Sequence, residues 1–400
     1  MDRLLLREEP GGIGYLFDRT TGKVTHLTRE EMGEWRGRPG VSFLPLREGS
    51  PRLARSVPFC VWFELTLRCN ISCVHCSVDA RARPEIGELG FSQVARLLRQ
   101  FADFGIFEVR YSGGEPTCHP AFPEIVEETL RQGLFVSVST NGVWGEARGR
   151  RLARLPVGLY IVSLDGTREE HNSLRPPGDT WARTVKSIRR LVEAGRRVRI
   201  NTVLCERNYR GLRMHVENLV QLGVEALTLV PVRPSGRAGT GAMFNSLCLS
   251  TGQYQEVLEE VRRLREEYGF EIATSYDFMA KGRMFNTPAH FAKRCVAGAE
   301  AACVGPTGQL RACILLDDQK YAVGDLFASD TALAELWADD ARWGIFRNPE
   351  SVPEICRACD HLGRDCFGVC HVFRESSLSP DLPFCPLQSD GRDAKVVMAR

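Results

Sequence analysis

Leu65-Thr66-Leu67-Arg68-Cys69-Asn70-Ile71-Ser72-Cys73-Val74-His75-Cys76 sets three cysteines in a CxxxCxxC spacing at the end of the β-rich run Val61-Trp62-Phe63-Glu64-Leu65. Three thiolates this close can wrap one iron-sulfur cluster, whereas a four-iron cluster calls for four ligands. An iron left open by the protein is a coordination site for a small molecule. Two other readings compete for the same residues. Disulfides belong to secreted chains, and the opening Met1-Asp2-Arg3-Leu4-Leu5-Leu6-Arg7-Glu8-Glu9 has neither the long apolar run nor the cleavage signal of an export sequence. The expected location is therefore cytoplasmic. Zinc sites usually pair CxxC knuckles, which a CxxxC step fits less well.

Working outward, β-rich runs alternate with amphipathic helical patterns between about residues 58 and 232. Val61–Leu65, Phe107–Tyr111, Phe135–Ser139, Tyr160–Leu164, Val198–Val203 and Ala226–Val230 read as strands. Phe91–Phe104, Ala121–Gln132, Thr180–Ala194 and Tyr209–Leu222 read as helices, with apolar residues at three- and four-residue steps. Repeated strand-helix units predict a parallel sheet covered by helices, and six units fall short of the eight of a closed barrel. The 400 residues predict two or three domains. Fifty-two Lys and Arg against 50 Asp and Glu leave a formal charge of +2, which gives no global electrostatic case for nucleic acid or an anionic membrane. No stretch reaches the roughly 18 apolar residues of a spanning helix.

The strand ends carry further motifs: Tyr111-Ser112-Gly113-Gly114-Glu115-Pro116, Ser139-Thr140-Asn141-Gly142 and Ser163-Leu164-Asp165-Gly166. In this order, behind the three cysteines, they resemble the radical S-adenosylmethionine (SAM) superfamily over roughly residues 58–246. The resemblance implies an α/β fold, a partial (β/α)6 TIM-type barrel at 56–246. It implies a 4Fe-4S cluster on Cys69, Cys73 and Cys76 whose open iron chelates SAM, and reductive cleavage of SAM to a 5′-deoxyadenosyl radical. The electron would come from an external donor such as flavodoxin or ferredoxin. Gly113, Gly114, Glu115 and Pro116 would hold the methionine amino group, and Ser139, Asn141, Ser163 and Asp165 the ribose and carboxylate ends. His75 stands where the family has an aromatic ring near adenine, and Asn201 in the fifth strand would add a ribose contact. Cys118 and His119 invite a catalytic reading, against which stands simple packing.

Eight of the fifteen cysteines fall between Cys295 and Cys385. Cys295, Gly308 and Cys313, then Cys356, Cys359, Cys366, Cys370 and Cys385, resemble the SPASM module, an auxiliary-cluster extension of the same superfamily, with one extra residue between Cys359 and Cys366. The resemblance implies one or two auxiliary iron-sulfur clusters. Cys295, Cys313 and Cys370, with Cys303 as candidate fourth ligand, would hold one; Cys356, Cys359, Cys366 and Cys385 would hold the other. A zinc ribbon on Cys356/Cys359 and Cys366/Cys370 is the rival. The expected organisation is a β-hairpin extension and linker at 1–55, the barrel at 56–246, a helical connector at 247–290, the auxiliary-cluster domain at 291–390 and a tail. Residues 1–55 also resemble the start of a leader-peptide recognition module. The implied function is oxidative modification of a ribosomally made peptide or protein side chain, by cross-linking, thioether formation or decarboxylation. The alternatives are the same chemistry on a sugar, aminoglycoside or tetrapyrrole, and a non-catalytic iron-sulfur or zinc protein.

Overall fold

Alternation builds the central sheet. Along the strand Val198–Leu204 every second residue is buried beneath helices, and the intervening Arg199, Asn201 and Val203 face a partly open concave side. The computed structural model describes residues 2–47, 49–51, 54–80, 87–274, 295–316, 320–348, 357 and 370–375.

The chain opens with β1 (Leu4–Glu9), β2 (Ile13–Asp18), β3 (Lys23–Leu27), helix α1 (Arg29–Trp35) and β4 (Val41–Leu44), in a sheet of order β3-β2-β1-β4. The expected hairpin is β2-β3, and α1 starts on a capping box between Thr28 and Glu31. Two strands escaped the sequence reading. Leu4–Glu9 pairs antiparallel to β2, and the segment 1–55, expected as a hairpin followed by linker, also contains β4, which runs parallel to β1. This sheet floors the barrel. Leu5, Tyr15 and Phe17 pack on Phe59, Phe107, Phe135 and Leu159, which lie at the amino ends of barrel strands. Phe17 stacks on Phe107 with ring centroids 4.6 Å apart, and the buried Arg7-Glu9 ion pair places the Arg7 guanidinium over Phe107 and Phe59.

Six parallel strands form the barrel: β5 (Cys60–Thr66), β6 (Glu108–Gly113), β7 (Phe135–Thr140), β8 (Leu159–Ser163), β9 (Val198–Leu204) and β10 (Ala226–Pro231). The covering helices are α2 (Phe91–Phe104), α3 (Phe122–Arg131), α4 (Glu146–Arg154), α5 (Arg168–Leu174), α6 (Thr180–Glu193) and α7 (Leu212–Leu222). The partial barrel is thus the one expected. Its sheet does not stop at six strands. After α8 (Gly241–Leu247) and α9 (Thr251–Tyr268), β11 (Glu271–Thr274) adds parallel to β10 inside the expected helical connector. At the opposite edge β12 (Ala301–Val304) adds parallel to β5, followed by the antiparallel β13 (Gln309–Arg311) and β14 (Ala322–Asp325). The first part of the second cysteine field is therefore a continuation of the barrel sheet. A buried ion pair between Arg311 on β13 and Glu64 on β5 fastens it there.

Candidate active site

The loops after β5, β6, β7 and β8 meet at the carboxyl edge of the sheet, where parallel α/β folds place their ligands. The cysteine loop is pinned first. Gly114 N-H donates to Thr66 O (2.8 Å) and Glu115 N-H to Arg68 O (2.9 Å), while Ser72 and Val74 N-H groups donate to Pro176 O and Leu174 O. Gly113 has φ +110°, and a Cβ on Gly114 would lie 2.8 Å from the carbonyl carbons of Leu67 and Arg68. The glycine pair thus serves close approach of one loop to another.

Glu115 is completely buried, and its carboxylate takes four hydrogen bonds, from Thr117 N and Oγ1, Thr140 Oγ1 and Asn141 N. It ties the β6 loop to the β7 loop. Asn141 continues the chain of contacts: its Nδ2 donates to Asn70 Oδ1 (2.8 Å) and lies 3.8 Å from Cys69 Sγ, while its Oδ1 accepts Val143 N-H. Ser139, Ser163 and Asn201 are half-buried on the concave strand face, with Asn201 in register with Ser163. Pro116 starts a one-turn 3-10 helix, Pro116–Cys118, at the buried base of the loop. His119 is structural: its Nε2 pairs with Leu89 O and its Nδ1 accepts Ala121 N-H.

Asp165 is buried against Arg175 (Nε to Oδ2, 2.6 Å), receives Val203 N-H (2.9 Å) and lies 3.3 Å from His75 Nε2. Burial works against its charge, but Arg175 and His75 outweigh burial and hold the carboxyl down at about 2. Burial also lowers His75, to about 4, so its ring is neutral. The His75 Nδ1 has no hydrogen-bond partner among the described residues.

Two arginines outside every motif complete the site. Arg175, just past α5, places Nη1 3.6 Å from Cys73 Sγ, and Arg237, after β10, reaches Cys76. Each thiol is thereby met by a nitrogen donor: Cys69 by Asn141, Cys73 by Arg175, and Cys76 by Arg237 and by Ala80 N-H (3.4 Å). Donors aimed at sulfur stabilise thiolates that carry a cluster and tune its potential, so the residues present fit an iron-sulfur group. Burial pushes the Cys69 thiol up to about 12, so metal binding must expel its proton. Among the described residues no three His, Cys, Asp or Glu side chains could hold a single metal ion. The capping box Thr167 to Glu170 marks the start of the helix that ends at Arg175, but nothing in the sequence marks Arg175 itself as a thiol partner. The same holds for Arg237.

In the second field, Cys295, Cys313 and Cys370 come together. Burial lifts the Cys295 and Cys313 thiols to about 12, reinforced by their neighbours' charge, and Leu315 N-H points at Cys313 Sγ (3.4 Å). Cys303 is buried on β12, in register with Trp62 on one side and Arg311 on the other, and within electrostatic reach of Cys313. Cys356, Cys359, Cys366 and Cys385 lie outside the described residues.

Comparison with known proteins agrees with this geometry. The radical SAM superfamily profile matches residues 63–219 and the SPASM iron-sulfur cluster-binding domain profile residues 295–360. The PqqA peptide cyclase of Ruegeria pomeroyi is 26% identical over 328 residues, 80% of this chain and 84% of its own. The mycofactocin maturase MftC of Mycobacterium tuberculosis is 28% identical over 322 residues, 78% of each chain. Among solved structures, Streptococcus suis SuiB bound to S-adenosylmethionine superposes with a TM-score of 0.71 at 18% identity, over 93% of this chain and 95% of SuiB. No helix among the described residues is long and apolar enough to cross a membrane.

Proposed function

We propose that this chain, which belongs to the radical SAM superfamily and carries its SPASM extension, oxidatively modifies a ribosomally synthesised peptide by cross-linking, thioether formation or decarboxylation. The observation that carries the peptide assignment is the similarity to a peptide cyclase over four fifths of the chain. Cys69, Cys73 and Cys76 would hold the cluster that binds SAM, and Cys295, Cys313 and Cys370, with Cys303 beside them, an auxiliary one. The bound cofactors supply electron transfer and hydrogen abstraction from carbon. The chain's own residues do the positioning. Glu115 fixes the loop after β6 against Asn141, so that the backbone of Gly113 and Gly114 is presented to the methionine end in one conformation. The buried Arg175 guanidinium, beside Cys73, is the cation suited to the SAM carboxylate, and Asp165 holds it in place. Ser139, Ser163 and Asn201 line the concave face along which ribose and substrate would lie. The barrel walls would exclude water from the bound cofactors, and an external flavodoxin- or ferredoxin-type protein would provide the electron. Cys69 and Cys76 are more exposed than Cys73.

The test is anaerobic reconstitution followed by product analysis. The protein should bind roughly eight to twelve irons, at about four per cluster. The triple variant Cys69→Ala, Cys73→Ala, Cys76→Ala should form no 5′-deoxyadenosine while keeping the absorbance of the auxiliary centre. A short precursor peptide encoded beside the gene should change mass on turnover with SAM and reductant. An unmodified peptide together with a turned-over sugar or tetrapyrrole would transfer the assignment to small-molecule chemistry.

A further inference from the structure

Arg237 touches the cysteine loop at more points than any motif residue requires. Its backbone N-H donates to Cys76 O (2.9 Å), Nη1 reaches Ser72 Oγ (3.4 Å), Nη2 reaches Ala80 O (3.3 Å) and Nε lies 3.4 Å from Asp79 Oδ1. The guanidinium also lies within electrostatic reach of the Cys76 sulfur. Gly236 makes the approach feasible: it has φ +56°, and a Cβ there would fall 2.5 Å from the Ser77 carbonyl carbon. The segment it grips is itself bent, since Asp79, though not a glycine, has a positive φ of +47°. A five-donor planar fork is suited to holding several acceptors of one loop at once.

We infer that Arg237 is a positioning residue that clasps the 72–80 loop around Cys76 and, through its fixed positive charge, sets the reduction potential of the cluster carried by Cys69, Cys73 and Cys76. This rests on the reading of those thiols as the SAM cluster. A cation beside a cluster thiolate favours the reduced, more negative state, and no proton is needed to maintain it, because a guanidinium stays charged. Arg175 holds the same relation to Cys73 but is neutralised by the buried Asp165. Among the described residues Arg237 pairs with the half-exposed Asp79 alone, so its charge is the less compensated of the two.

The experiment is an EPR-monitored redox titration of the anaerobic holoenzyme, following the signal that SAM perturbs, together with iron release to a chelator. Arg237→Gln should lower the midpoint potential by about 60 mV, a tenfold change in a one-electron equilibrium, and speed iron release about tenfold. Arg237→Lys should keep the potential near wild type and still release iron faster, because the charge remains and the fork is lost. An Arg237→Gln protein with full iron and unchanged potential overturns the inference. If Arg237→Gln holds no iron, Arg237→Lys decides: iron retained at wild-type potential supports the role of charge, and iron lost as well overturns it. Lack of any SAM-perturbed signal in the wild type would instead refute the cluster assignment itself.

Discussion

Removal of the Arg175 side chain tests the buried centre of the site. Its guanidinium meets Asp165 twice, at 2.6 and 3.3 Å, and both side chains are more than nine-tenths buried. In Arg175→Met the carboxylate keeps Val203 N-H and the neutral His75 ring but loses the one full countercharge that touches it among the described residues. Deleting one member of a buried pair costs about 3–5 kcal/mol; the two retained partners place this case at the lower end, about 3 kcal/mol. Asp165→Asn strands the guanidinium instead and should cost a comparable amount. The double variant removes both charges and should be destabilised by about 2 kcal/mol less than the sum of the singles, which is the coupling expected of groups in contact. Urea unfolding of the anaerobic protein, followed by circular dichroism, measures all three. Additive losses, or an Arg175→Met loss below about 1 kcal/mol, would refute the view that Arg175 and Asp165 compensate each other as a buried charge pair beside the cysteine thiols.

Two further substitutions probe how the site is framed. Gly114→Ala drives a methyl into the Leu67 and Arg68 backbone and should cut iron loading of the 69–76 site severalfold, whereas Gly252→Ala, in α9 with open space around it, should stabilise by about 0.4–1 kcal/mol; wild-type iron content in Gly114→Ala would sink the account of the glycine pair. Phe17→Ala removes a ring stacked on Phe107 in the barrel floor and should cost about 3–5 kcal/mol while exposing residues 1–55 to protease. A loss under about 1 kcal/mol in urea would mean that the N-terminal sheet is not seated on the barrel.

The barrel was legible because its strands and helices carry their own periodicity. Phe91–Phe104 begins and ends where the apolar spacing predicts, and the αL glycine Gly105 closes it. Strands buried on both faces read as Val/Ile runs whatever surrounds them. The elements missed are those whose identity depends on distant partners. β1 contains Arg7 and Glu9, a charged pattern unlike a core strand, and becomes buried only because Phe59 and Phe107 cover Arg7 while Ser56 N-H satisfies Glu9. β4 is four residues within a Gly- and Pro-rich stretch and exists because β1 offers it an edge. α4 carries five charged residues in nine and Gly149, so its apolar face is only Leu152 and Ala153.

The site divides along the same line. Its ligands and glycines announce themselves by spacing, since thiolates that share a cluster must be close and backbones that touch must lack Cβ. The groups that govern the thiolates cannot be read this way, because their partners lie on other strands: Asn141 is 72 residues from Cys69, and Arg175 is 102 from Cys73. An arginine among 52 basic residues has no local mark that separates a surface charge from one aimed at sulfur. Only the parallel topology, which carries every strand's carboxyl end to one edge, gives it that role. The three-cysteine loop is thus incomplete twice over, lacking a fourth ligand and lacking its own counterions. The first deficiency is where SAM would bind, and the second is met from the far side of the barrel. Closure of the site then depends on the sheet from β5 to β10 holding its curvature, so changes remote from the cysteines that flatten the barrel should weaken the cluster before they unfold the chain.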